Sequence, residues 1–372
     1  MTFTDLKLHP SLLKAIEEQN YTNPTPIQAQ SIPQILEGHD LIGCAQTGTG
    51  KTASYVLPIL NMLLDAKDNA KVVTALVVVP TRELVQQVCE NITKYAAHTN
   101  IKHVPIYGGA SPVNQIKNLK IRPNIIVATP GRLIDFLNNK HIDLKNLKHF
   151  VLDEADQMLD MGFVKDIKKI ISFLPQTKQT LLLSATMPKE IHAFAKTIQK
   201  NPREVTIERV SSTVKTVTQS IVFTDQKNKA KVLEQLIKTD EKSKCIVFVR
   251  TKHGADKLVI QLLKQGVESI AIHGNKSQNY RNNALSSFKN NTMKVLIATD
   301  IAARGIDIEQ LPLVVNYDLP NIPETYVHRI GRTGRAGHSG KAITLCAPEE
   351  NKELQSIQKL IGNKIPLEPA FQ

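Results

Sequence analysis

The chain has 372 residues, more than one hydrophobic core usually fills, so two domains of ordinary size are expected. Its 41% hydrophobic content is that of a globular protein, it has no apolar run of membrane-spanning length, and Met1-Thr2-Phe3-Thr4-Asp5-Leu6 lacks the basic and apolar regions of a signal peptide. A cytoplasmic protein with no membrane role is expected, and the net charge of +13 calls for a polyanionic partner.

Trp is absent and aromatic residues make up only 5%, too few to build platforms on which successive bases stack. A nucleic acid would therefore be gripped by its backbone and read without sequence preference. The cysteines Cys44, Cys89, Cys245 and Cys346 lie far apart with no Cys-x-x-Cys pair, which points to buried thiols rather than zinc or disulfides.

In chain order, helix is expected around Ser11-Leu12-Leu13-Lys14-Ala15-Ile16, breaking at Asn23-Pro24-Thr25-Pro26 and restarting at Ile27-Gln28. The apolar run Asp40-Leu41-Ile42-Gly43-Cys44 and the helical stretch from Ala53 enclose Ala45-Gln46-Thr47-Gly48-Thr49-Gly50-Lys51-Thr52. A strand-to-helix turn of this composition is a phosphate cradle. Its glycines let backbone N–H groups converge on phosphate oxygens, Lys51 can reach the β- and γ-phosphates, and the Thr52 hydroxyl can ligand Mg²⁺. The strict pattern has glycine where Ala45 stands, but a turn without a ligand has no need of the Gly-Lys-Thr ending.

Apolar runs follow at 75–79, 103–107, 125–128, 150–152 and 181–183, with helical stretches between most of them, which predicts a parallel sheet covered on both faces. Asp153-Glu154-Ala155-Asp156 closes one of these strands, placing Asp153 as a partner for Mg²⁺ and Glu154 to orient or deprotonate an attacking water. Periodicity fades at 208–217, read as a linker between an N-terminal domain (1–207) and a C-terminal one (218–372).

A second alternating series runs through 221–223, 245–249, 269–272, 295–298, 313–316 and 342–345. The halves echo each other: Ile125-Ile126-Val127-Ala128-Thr129 parallels Val295-Leu296-Ile297-Ala298-Thr299, and Tyr107-Gly108-Gly109 with Gln115 parallels His273-Gly274 with Gln278. A duplicated domain is inferred, each copy presenting a strand end and a glycine turn to one shared ligand. The run His328-Arg329-Ile330-Gly331-Arg332-Thr333-Gly334-Arg335-Ala336-Gly337 suits an anion, with Arg332 and Arg335 as arginine fingers on a γ-phosphate.

Together these motifs resemble the DEAD-box ATP-dependent RNA helicases, from Phe3 to about Cys346, and most resemble the bacterial RhlE-like branch. The family's phosphate loop accounts for Ala45, and its named tetrapeptide is Asp153 to Asp156. The resemblance implies two RecA-like α/β domains joined by a flexible linker, with Mg²⁺ and ATP bound between them and RNA across both. It implies that Gln28 reads the adenine edge, that Phe3 packs on the base and that Asp307 contacts the ribose. Arg82, Gly109, Thr129 and Arg132 in the first domain, and Gly274, Gln278 and Thr299 in the second, are implied RNA contacts. Ser184 and Thr186, with Asp156 and His328, are implied to couple hydrolysis to strand separation. Asn20 and Val85 depart from the family's usual glycine and alanine without touching the contact residues. The implied activity is local, ATP-driven unwinding of short RNA duplexes or remodelling of RNA–protein complexes, with ribosomal or RNA-decay proteins as partners. An ATP-gated RNA clamp would use the same motifs, and a DNA helicase is a more distant alternative.

Overall fold

The computed structural model describes every residue except 47, 66–71, 208–216, 240–243, 304–307, 309–310, 335–339 and 369–372. The chain divides into two compact units, Met1–Arg209 and Val210–Gln372. Of the linker expected at 208–217, residues 208–216 lie outside the described residues. Val217 is not linker: it is the first residue of a strand, 4% exposed and paired with Gly340.

The first unit is built on a fully parallel sheet of seven strands: β1 Leu41–Cys44, β2 Ala75–Val78, β3 His103–Ile106, β4 Ile125–Ala128, β5 His149–Leu152, β6 Gln179–Ser184 and β7 Arg203–Thr206. They lie in the order β3-β4-β2-β5-β6-β1-β7. Successive side chains of a strand point to opposite faces, so a sheet covered by helices on both sides needs unbroken apolar strands rather than alternating ones. Such strands are seen in β2 and β4: Ala75, Val77, Ile125 and Val127 enter one apolar cluster, whereas Leu76, Val78, Ile126 and Ala128 enter another.

β7 is the strand that hydropathy did not mark. It pairs with β1 at the sheet edge, and only Val205 among its four residues is buried. Its exposed Arg203 and Glu204 leave no apolar run to read, and charges of this kind deter edge-to-edge pairing.

The second unit holds six parallel strands: β8 Val217–Phe223, β9 Cys245–Val249, β10 Ile270–Ile272, β11 Val295–Thr299, β12 Leu313–Asn316 and β13 Gly340–Cys346. Their order is β10-β11-β9-β12-β13-β8. Counted from each unit's own first strand, this is the order of the first sheet up to β1. The match goes further, because Leu367 bridges Ile221 of β8 on the side where β7 pairs with β1. The local echoes read from the sequence therefore fall on equivalent strands, β4 with β11 and the turns after β3 with those after β10.

All four cysteines are free thiols. Burial pushes the Cys89 and Cys245 thiols up to about 12, whereas Cys44, which closes β1, is only half-buried.

Candidate functional site

Parallel strands deliver their carboxyl ends to one edge of each sheet, where ligands of such folds bind. In the first unit the loop after β1 leads into the helix Lys51–Asp65, and Asp153 follows β5, which β6 separates from β1 in the sheet. Lys51 is 7% exposed and its Nζ donates to the Ala45 carbonyl at 2.5 Å, folding the ammonium over its own loop. Thr49 Oγ1 donates to the Gln46 carbonyl at 2.6 Å. Gly50 has φ +89°, and a Cβ there would stand 2.3 Å from Gln28 Nε2, so conformation and crowding both require glycine. Gly48 lies in the exposed part of the loop, and Thr47 lies outside the described residues.

Gln28 ties this loop to the first helices. Its Oε1 accepts from the Thr25 N–H at 3.0 Å, capping the helix Pro26–Leu36, while its Nε2 donates to the Gly50 carbonyl at 3.2 Å. Phe3 is 5% exposed and sits in an apolar cluster with Leu6 and Leu8.

Asp153 is 2% exposed. One oxygen, Oδ1, accepts from the Glu154 N–H at 2.9 Å and the other, Oδ2, from the Tyr55 hydroxyl at 2.9 Å. Burial pushes the Asp153 carboxyl above the usual carboxylate range, and the Lys51 charge pulls it back. Glu154 is 5% exposed and adopts φ +57°, a left-handed conformation that a non-glycine residue adopts at a cost of about 1–3 kcal/mol. No trio of metal-ligating side chains is present among the described residues. One buried carboxylate beside a phosphate cradle and the Thr52 hydroxyl is a hard-oxygen set of the kind that holds Mg²⁺, an ion that takes its other ligands from phosphates and water.

Three of the four residues expected to couple hydrolysis to RNA, Asp156, Ser184 and Thr186, meet around Asp156, whereas His328 belongs to the second unit. Asp156 Oδ2 accepts from the Thr186 N–H and Oγ1, each at 2.9 Å, and from the Ala185 N–H at 3.2 Å. Ser184 Oγ accepts from the Asp156 N–H at 3.3 Å and donates to the Thr186 carbonyl at 2.6 Å. The ends of β5 and β6 are thus joined through one carboxylate.

The expected RNA residues of the first unit gather at the other side of the sheet, after the adjacent strands β3, β4 and β2. Arg82 begins the helix Arg82–Tyr95, and its Nη1 would lie 2.0 Å from a Cβ at Gly109, whose φ is +77°. A guanidinium here rests on a bare backbone turn. Thr129 starts the helix Pro130–Asn138, and Arg132 Nη1 donates to the Ala110 carbonyl at 3.2 Å.

The second unit repeats the plan with one residue the sequence reading left out. Lys252 begins the helix after β9 as Arg82 begins the helix after β2, and its Cε would lie 3.5 Å from a Cβ at Gly274. Thr81 and Thr251 cap the two helices alike, each Oγ1 accepting an N–H three residues on. Pro80-Thr81-Arg82 and Arg250-Thr251-Lys252, each directly after an apolar run, carry that signal in the sequence, though only the threonine is common to both. Gln278 opens the helix Gln278–Lys289, donating to Asn282 Oδ1 at 3.1 Å, and Thr299 ends β11; they are 8% and 7% exposed.

In the basic run, Arg329 is an internal pin. It is 2% exposed, forks onto Asp300 at 2.6 and 2.8 Å and donates to the Asp318 carbonyl at 2.6 Å. His328 and Arg332 line a small pocket with Asp300 and Thr325. Arg335 and Asp307 lie outside the described residues.

Lys229 occupies the place in the second unit that Lys51 holds in the first, opening the helix after that unit's own first strand. It is fully buried, and its Nζ donates to Glu350 Oε2 at 2.5 Å and to the Tyr317 carbonyl at 2.6 Å.

Two parallel α/β domains of one topology, a phosphate loop beside paired carboxylates in the first, and basic residues over glycine turns in both define a nucleotide-dependent protein of RecA-like architecture. Residues 25–194 match the DEAD/DEAH box helicase family and residues 228–337 the helicase conserved C-terminal domain. The chain is 45% identical to the DEAD-box ATP-dependent RNA helicase RhpA of Helicobacter pylori, over 98% of this chain and 74% of that protein. It is 43% identical to CshA of Bacillus cereus, over 98% and 69%. Among solved structures, S. cerevisiae Dbp5 bound to RNA and ADP BeF3 is similar with a TM-score of 0.88 at 33% identity, covering 98% of this chain and 95% of that one. Mss116 bound to ssRNA and UDP-BeF gives 0.87 at 28%, covering 99% and 81%. The chain belongs to the DEAD-box ATP-dependent RNA helicase family.

Proposed function

We propose that this protein binds Mg²⁺-ATP on its first domain and uses hydrolysis to unwind short RNA duplexes locally or to remodel RNA–protein complexes. Lys51 and the loop amides hold the phosphates, Gln28 selects adenine with Phe3 beside the base, and Asp153 and Thr52 hold the metal, which neutralises charge on the phosphates. Glu154 orients or deprotonates the attacking water. Arg332, Arg335 and Asp307 complete the nucleotide site from the second domain, and a linker near 208–216 lets the domains close when ATP and RNA are both bound. His328 and the Asp156–Ser184–Thr186 cluster pass that closure to the RNA. A cytoplasmic location and ribosomal or RNA-decay protein partners go with this activity.

The observation that carries the RNA assignment is the repetition of one device on both sheets: Arg82 over Gly109 beside Thr129, and Lys252 over Gly274 beside Thr299. A polyanion laid along both would meet cations and backbone amides rather than base-reading groups. The test is ATP turnover with and without single-stranded RNA, together with release of a labelled strand from a short duplex. RNA should raise turnover and ATP should speed strand release. Equal turnover in both conditions would refute the proposal, and stimulated turnover without strand release would leave an ATP-gated clamp.

A further inference from the structure

We infer that Tyr55 is a positioning residue of the nucleotide–metal site, fixing the orientation of the Asp153 carboxylate before an ion arrives. Resting on the Mg²⁺ assignment proposed above, this adds a residue that an apolar helix pattern reads only as core. Tyr55 lies three residues after Thr52 in the helix Lys51–Asp65, hence on the same helical face. It is fully buried, and a phenol without water must find a partner for its hydroxyl. That partner is Asp153 Oδ2 at 2.9 Å, while the Thr52 side chain is its second polar neighbour. One hydroxyl therefore stands between the two groups expected to hold Mg²⁺.

The geometry explains why a hydroxyl matters here. Asp153 Oδ1 is held by the Glu154 N–H and Oδ2 by Tyr55, so turning the carboxylate about its Cβ–Cγ bond breaks both hydrogen bonds. Each oxygen keeps a further lone pair, so the orientation is set without spending the acceptor capacity that a cation needs. Asp153 is 2% exposed, which leaves little water to stand in for a missing donor. Outer partners of this kind tune ligand geometry, and their loss commonly weakens metal affinity by about 10–100-fold.

The test is Tyr55→Phe in the full chain, which keeps the ring and removes one oxygen. ADP affinity is measured by calorimetry in EDTA and across a Mg²⁺ titration, beside the thermal unfolding midpoint of the ligand-free protein. The expected result is an EDTA affinity within about twofold of wild type and a Mg²⁺ midpoint raised about tenfold. An unchanged midpoint overturns the inference. So does an equal loss of affinity with and without Mg²⁺, or a variant that no longer folds, since either makes the hydroxyl a general prop of the pocket or the fold rather than a support for the metal ligand. If Mg²⁺ does not tighten ADP binding to the wild-type chain, the Mg²⁺ assignment falls first and this inference with it.

Discussion

Glu154 shows how a single residue can be chosen against its own backbone. Its left-handed φ of +57° helps the chain turn from β5 into the helix Ala155–Asp160 across only two residues, a place where glycine would sit without strain. A glutamate there gives up stability for a carboxylate. His149, at the opposite end of β5, is settled by burial instead. Its Nδ1 is 3.0 Å from Gln179 Oε1, and because Gln179 Nε2 donates to the carbonyls of Ile35 and His39, the histidine must be the donor. Burial holds the imidazole below its ordinary range, so the unfolded chain takes up the proton first as pH falls. The stability tied to a neutral His149 is therefore complete above about pH 6.5 and declines as the pH falls below it. Replacing His149 with Gln should flatten part of that decline between about pH 7 and 5, read from denaturant midpoints. A variant whose midpoints fall as steeply as those of wild type would exclude His149 as a source. The carboxylates Asp153 and Glu154 were legible in the sequence because they interrupt an apolar run. Tyr55 was not, since a tyrosine among Ala53, Val56 and Leu57 looks like core until its hydroxyl is traced.

Strand ends carry the chemistry at the scale of elements. A glycine turn suits the proposed RNA-binding edge because nothing but backbone lies beneath the cation: at Gly109 a methyl group would collide with the Arg82 guanidinium, and at Gly274 it would touch the Lys252 stem. Lys252→Ala should weaken single-stranded RNA binding and lower the slope of log K against log salt by about 0.7 to 1, the signature of one lost phosphate contact. Weaker binding with an unchanged slope would mean that Lys252 acts through packing. The buried strands were readable as apolar runs, and the duplication was readable where it fell on such runs, in Ile125 to Thr129 and Val295 to Thr299. What sequence missed at this scale lacked an apolar frame. β7 offers a single buried residue, Val205, and Val217 looked like the end of a polar linker although it begins a seven-residue strand.

For the whole molecule, the nucleotide and RNA sites are useful only if each reports on the other. Glu154→Gln keeps the size of the side chain but removes the proposed base, while Lys51, Thr52 and Asp153, the residues proposed to hold Mg²⁺-ATP, remain. If ATP and RNA favour one common closed state, the coupling is reciprocal, so the variant should release RNA more slowly with ATP than with ADP or no nucleotide. Equal RNA release rates in all three conditions would break the link between the phosphate loop and the RNA edge. The Lys229–Glu350 pair bears on how two copies of one fold can serve a single cycle. Where Lys51 of the first copy bonds a carbonyl of its own loop, the corresponding lysine of the second copy has an anion supplied by the chain: Glu350 meets Lys229 at 2.5 Å. A carboxylate built into the chain cannot diffuse away and is never hydrolysed. The second copy's lysine has thus become a fastener, tying its helix to the segments that follow β12 and β13, while its counterpart in the first copy stays on the loop where the fuel is expected to land.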